Sequence, residues 1–175
     1  GGVIATGQVA KAVPDGYTLI VVSAGHVVNA LLYGNLTYDT LKDFRGVIPL
    51  ASLPSVLVVS SELGVNNLKE LVALAKAKPG ELNYGASGIG ASNHLAAELF
   101  RSMAGINIVR VNYKGPSMAI SDIVTGRVQM MFLVASSVKA HIQSGKLRAL
   151  ATTTEKPTPL FPGVPTVAEA VPRYE

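Results

Sequence analysis

Apolar runs short enough to be strands alternate along this chain with longer runs of helical periodicity, and glycine or proline stands at nearly every junction. That alternation predicts an α/β architecture with a largely parallel sheet, because a parallel pair needs a crossover long enough to hold a helix. Residues 3–12 read as a helix closed by Val13-Pro14-Asp15-Gly16, and residues 17–22 as a buried strand. A helix over 26–33 follows, then strand candidates at 47–51 and 55–59 separated by Leu53-Pro54, where the chain bends or changes sheets.

Asn67-Leu68-Lys69-Glu70 has the form of a capping box, and Leu68, Leu71, Val72 and Ala75 share one face before Lys78-Pro79-Gly80 ends the helix. Three βα units are then expected in succession. A strand at 82–85 leads to a helix with Leu95, Ala96, Leu99, Phe100 and Met103 as its apolar stripe, ended by Gly105. A strand at 106–112 leads to a helix with Pro116 in its first turn and Ile120, Ile123 and Val124 inward. A strand at 128–134 leads to a helix capped by Ser136 or Ser137, and residues 147–153 form a last strand. The proline-rich segment 156–165 is expected to run extended over the surface, and Thr166-Val167-Ala168-Glu169 offers a second capping box.

Composition narrows the functional classes. With 49% hydrophobic and 15% charged residues the chain is a packed globular protein, and none of its apolar runs approaches the roughly 18 to 20 residues of a membrane-spanning helix. Net charge is +4, but Lys and Arg are scattered and there is no Trp, so no basic stripe with interleaved aromatics marks a nucleic-acid partner. A mild positive field of this kind suits a small anion. The absence of Cys excludes thiol chemistry, and no H-x-H, H-E-x-x-H or paired carboxylates point to a metal; the reading calls for no cofactor.

Ligands of open parallel sheets bind beyond the carboxyl ends of the strands, where helix N-termini gather. Four such junctions here are small and polar: Ser23-Ala24-Gly25, residues 85–93, Lys114-Gly115-Pro116-Ser117, and Ala135-Ser136-Ser137. In the longest, Ser87, Gly88, Ile89, Gly90, Ala91 and Ser92 precede a helix, and its glycines and serines exceed what one cap requires. The stretch reads as an anion seat. Gly88-x-Gly90-x-x-Asn93 misses the third glycine of a dinucleotide fingerprint, and Val111-Asn112-Tyr113 brings no ribose-binding acid. Gly85-Ala86-Ser87-Gly88-Ile89 misses the last glycine of a nucleophile elbow, which leaves a serine-dependent hydrolase using Ser87 as the alternative. His26 and His94, each near a helix start, are candidates either to donate to an anion or to bond near the cap.

Several segments then stand in a familiar order: residues 10–19 (AKAVPDGYTL), Tyr38-Asp39 with Lys42-Asp43-Phe44, residues 74–80, Leu82-Asn83-Tyr84-Gly85, residues 94–100 (HLAAELF), Tyr113-Lys114-Gly115, and residues 163–169 (GVPTVAE). Together they resemble the Bug family, the TctC-type periplasmic solute-binding receptors of tripartite tricarboxylate transporters, over essentially the whole chain. The resemblance implies a periplasmic binding protein of type II, a two-lobed Venus flytrap closing on a small carboxylate or dicarboxylate, with integral membrane transporter subunits as partners and no catalytic residue. By motif matching, Ser23, Ala24 and Gly25 would serve from the first lobe and Ser87 to Ser92 from the second; Ser136, from the fourth small and polar junction, is expected as a further contact. It further implies a partial first lobe over 1–53, a near-complete second lobe over 54–155, and a return segment with a short helix over 156–175. Two departures stand out. Leu133 occupies a position where the family commonly carries Asp after Met-Met-Phe, and the chain, starting at Gly1-Gly2, is shorter than the family's usual extent, as expected of a truncated piece or of part of an entwined oligomer.

Overall fold

Val56, Leu57, Val58 and Val59 are all fully buried, an unbroken apolar run that only a strand covered on both faces can carry. In the computed structural model, which describes residues 2–174, this run belongs to β1 (Ser55–Ser60). The chain divides into two compact units, one of Gly1–Ala51 with Ile89–Ser92 and one of Ser52–Gly88 with Asn93–Glu175.

The second unit is built on a five-stranded sheet in the order β3-β2-β4-β1-β5, with β2 at Asn83–Ala86, β3 at Val109–Asn112, β4 at Met130–Val134 and β5 at Leu147–Thr152. Strand β2 pairs in parallel with both β3 and β4, but β1 runs antiparallel to β4 and β5. The expectation of a largely parallel sheet therefore needs correction at its centre. Helix α3 does not return β1 to a parallel neighbour; it carries the chain past β4, and β1 fills the slot between β4 and β5.

Alternation along the strands sends side chains to two cores. Leu57, Val59, Met130 and Phe132 join Leu68, Leu71 and Ala75 of α3 (Leu68–Ala77) and Ala97 and Phe100 of α4 (Ser92–Ala104). Val56, Val58, Met131 and Leu133 join Ala119, Ile120 and Ile123 of α5 (Pro116–Val124) and Val138 of α6 (Ala135–Gln143). Phe132 anchors the first core, with its ring 6.0 Å from that of Phe100 at 69° and 6.3 Å from that of Tyr174 at 11°.

Local chemistry sets the helix ends. Asn67 Oδ1 accepts from the Glu70 amide at 2.9 Å, while the Glu70 carboxylate accepts from the Asn66 amide at 2.7 Å. Thr166 and Glu169 form a reciprocal capping box on a single 3-10 turn (Val167–Glu169), whereas at α3 the expected box is only half formed, since Glu70 reaches the Asn66 amide and not that of the N-cap Asn67. Helices α3, α4 and α5 fall close to their expected positions, but the buried side of α4 is His94, Ala97 and Phe100, with Leu99 and Met103 more than a third exposed. The strict i, i+3 spacing of that face includes a polar residue, which a count of apolar positions passes over. Helix α6 is capped by extended Val134 with no side-chain bond, so Ser136 and Ser137 lie inside its first turn. Segment 156–165 forms turns rather than one extended run, with Phe161 tucked into the second core.

The first unit holds α1 (Val3–Ala10) and α2 (Gly25–Leu32). The strands expected at 17–22 and 47–51 are absent: Tyr17 is 92% and Val21 79% exposed, and no described residue pairs with either segment as a ladder. An apolar, β-branched run becomes a strand only when another strand satisfies its backbone groups.

Two stability outcomes are expected. Asn67→Ala removes the α3 cap and costs about 1 kcal/mol, seen as a lower urea midpoint at unchanged m. Phe132→Ala opens a cavity between the rings of Phe100 and Tyr174 and costs about 3–5 kcal/mol by the same measurement.

Candidate functional site

Strand β2 ends at Ala86, and the chain then crosses six residues before Asn93, whose side chain folds back onto Ser87. Asn93 Oδ1 accepts from the Ser87 amide at 3.2 Å, and Asn93 Nδ2 donates to Ser87 Oγ at 2.7 Å. This two-bond bracket, wholly within the second unit, closes the neck of the glycine-rich loop. Gly88 lies at φ 140° and Gly90 at φ 76°, backbone conformations that a side chain resists. Helix α4 starts directly after, and the amides of its first turn have no acceptor within the helix.

Within the first unit, residues Ile89–Ser92 meet the start of α2. A Cβ added to Gly25 would stand 2.8 Å from the Gly90 carbonyl oxygen, and one added to Gly90 would stand 2.9 Å from Leu32 Cδ1. Gly25 therefore requires glycine on space and Gly90 on its φ of 76°, and the Ser23-Ala24-Gly25 turn and Gly90 are brought together as backbone against backbone. Gly25 and Gly90 are buried, while Ser23, Ala24, Ile89 and Ser92 are exposed. Ser23 contributes its carbonyl to the His26 amide at 2.9 Å, which tightens the first turn of α2.

Ser136 is exposed and lines a separate cavity of about 280 Å³ in the second unit, with Pro54, Val134, Lys139, Leu160 and Phe161. None of residues 85–93 lines it. Leu133 pairs with Val56 across the ladder and is 3% exposed in the second core. Leu133, the departure from the family resemblance noted in the sequence, is here a packing residue.

The histidines part company. His26 packs its ring 5.0 Å from Phe44 in an edge contact and 6.2 Å from Tyr38 in a stack. His94, 9% exposed, has Nε2 2.8 Å from Arg110 Nη1 on β3. Burial and the Arg110 charge hold its pKa below the ordinary histidine value, against the opposing pull of Glu98. Burial alone would raise Glu98, but hydrogen bonds from the Tyr84 hydroxyl and from Arg101 outweigh it and hold its carboxyl low. Burial, then the bond to Glu98, push Tyr84 up in turn. Just past the end of β3, burial and Asp122 of α5, whose carboxylate accepts from the Tyr113 hydroxyl at 2.8 Å, push Tyr113 up to about 12.

Asn93 and Arg110 escaped the sequence reading. The first had a signal, an amide six residues after Ser87 at a helix start, but it registered only as a missing glycine. The second had none, because the partner of His94 is set by the parallel register that places Arg110 beside Tyr84. Ser87 Oγ accepts from an Asn side-chain amide, which is no base, so this bond does not activate the hydroxyl. Among the described residues no three His, Asp or Glu gather in a manner that would hold a metal.

Comparison with known proteins agrees with this architecture. Rpa4515 of R. palustris, solved with adipate, is 40% identical with a TM-score of 0.88, over 99% of this chain and 59% of that one. The periplasmic binding protein BugD is 31% identical with a TM-score of 0.88, over 100% of this chain and 59% of that one. MatC of Rhodopseudomonas palustris, solved with bound malate, is 28% identical with a TM-score of 0.86, over 99% and 60%. The fold is thus the α/β fold of periplasmic binding proteins, and the chain spans about half the length of the curated relatives it matches. The model of the tripartite tricarboxylate transporter family receptor, TctC, matches residues 1–173, and the chain belongs to that family of solute-binding receptors.

Proposed function

We propose that this protein works outside the cytoplasm, in the periplasm, as a receptor that captures a small carboxylate or dicarboxylate for the membrane subunits of a tripartite tricarboxylate-type transporter. The observation that carries the reading is the bracketed loop. Ser87 and Asn93 close its neck, Gly88 and Gly90 remove side chains from the approach, and a thirteen-residue helix begins where the loop ends. Backbone amides at a helix start replace the water around a carboxylate and meet its charge with the positive end of the helix dipole.

Ser23, Ala24 and Gly25 form the complementary turn in this reading, since the backbone contact of Gly25 with Gly90 allows no side chain between them. Adipate and malate, the ligands of the solved neighbours, share a chain of carbons between two carboxylates and define the first compounds to try. Ser136, on a cavity separate from the loop, is proposed as a secondary contact only. Among the described residues no helix is long and apolar enough to cross a membrane.

Two outcomes follow on the intact protein. In a thermal-shift panel of carboxylates, a true ligand at a hundredfold excess over its Kd stabilises the native state by about 2.7 kcal/mol and raises Tm by roughly 5–10 °C; a flat panel across mono-, di- and tricarboxylates would sink the proposal. By calorimetry, Ser87→Ala weakens binding about fivefold through one lost hydrogen bond. Gly90→Val weakens it roughly tenfold or more, because a β-branched side chain must enter the left-handed region and displace Leu32. Unchanged affinity in both variants would remove the loop as the seat.

A further inference from the structure

A guanidinium has five donors and no acceptor, and it keeps its charge across the whole range in which proteins fold. With Arg110 Nη1 at 2.8 Å from His94 Nε2, the imidazole is therefore the acceptor, Nε2 carries a lone pair, and the ring proton sits on Nδ1. His94 is third in α4 and nine-tenths buried. The residue before it is Asn93, whose side chain holds both the amide and the hydroxyl of Ser87. A ring fixed by Arg110 is thus one peptide bond away from the bracket that closes the loop.

We propose that Arg110 is a positioning residue for the carboxylate seat: by donating to His94 it keeps that ring neutral, pins the first turn of α4, and holds Asn93 where it brackets Ser87. This rests on the reading of the loop as the seat. The contact spans elements that local sequence does not join, since Arg110 comes from β3, registered opposite Tyr84 of β2, while His94 comes from the helix after β2.

Acid opens this arrangement. The charged groups around the ring are Arg110 from β3 and Glu98 one turn along α4, the latter held by the Tyr84 hydroxyl from β2 and by Arg101. Protonated His94 would lose its acceptor and face both the guanidinium and the positive end of its own helix. Its pKa in the folded state lies below the ordinary value of 6.5, so the latch is whole above that value and is lost as pH falls through the folded-state value. Affinity for a carboxylate should then fall on acidification. A histidine that touched the anion directly would give the opposite sign, because its positive form would bind more tightly.

Calorimetry on the intact protein from about pH 8 to pH 5.5, with adipate and malate as probes, separates the two. Wild-type affinity is expected to fall about fivefold more than that of His94→Gln, whose amide oxygen accepts from Arg110 without titrating; the ligand's own protonation is common to both and divides out. Arg110→Met is weaker already at pH 8, and Arg110→Lys recovers part of the loss. Affinity that rises on acidification, or an identical slope in His94→Gln, overturns the proposal. A second measurement needs no ligand: nitrogen NMR of the imidazole at pH 8 should report the Nδ1–H tautomer, and exchange of the Ser87 amide should quicken about fivefold in Arg110→Met but not in His94→Gln. An Nε2–H tautomer or unaltered Ser87 exchange overturns it whether or not a carboxylate binds. Both signatures without binding of any carboxylate support the strut and count against the receptor reading alone.

Discussion

Strand β1 is hydrogen-bonded on both edges and buried on both faces, and the second unit is organised around it. Its backbone serves β4 on one side and β5 on the other, each antiparallel, while its side chains go alternately to the core under α3 and α4 and to the core under α5 and α6. Removing such a strand from water satisfies every ladder group at once and draws both helical layers onto one sheet. The ends of β2, β3 and β4 and the helices that leave them inherit their places from it.

That rigid frame holds a short loop whose own contacts are polar. Between β2 and α4 the chain has no ladder to hold it, and side-chain hydrogen bonds take over: Asn93 to Ser87 at the neck, Arg110 to His94 in the first turn, and Tyr84 and Arg101 to Glu98 one turn later. These contacts tie the same helix to β2 and β3. A polar chain of this kind costs little where each buried group is paired, and it fixes geometry more sharply than apolar packing does. A binding loop needs that sharpness, because amides a fraction of an ångström out of place lose a carboxylate to water.

Much of the architecture was legible because its causes are local. The Asn67 side chain that caps α3, proline in the first turn of α5 and Gly105 after α4 each act over a few residues, and the helices stand where those signals put them. The glycine-rich turn was legible as well, since Gly90 announces a backbone that rejects a side chain. The apolar runs at 17–22 and 47–51 misled, because β propensity describes a residue's fit to a sheet and carries no information on whether a partner strand is there. Leu133, noted in the sequence only as a departure from the resemblance, is given its role by the strand: it is an inward position of the second core.

The amino-acid sequence by itself determined the α/β class, the places of α3, α4 and α5, the family and the loop on which a carboxylate seat is proposed, all of which depend on patterns within some fifteen residues or on the order of such patterns along the chain. Tertiary structure alone decided the antiparallel insertion of β1, the seating of Gly25 against Gly90, the bracket of Asn93 on Ser87 and the pairing of Arg110 with His94. Each depends on how segments far apart in the chain, or a side chain and a loop that folds back, come to lie against one another. Strand order and register set those distances, and both follow from burying all the apolar faces together rather than from any one of them.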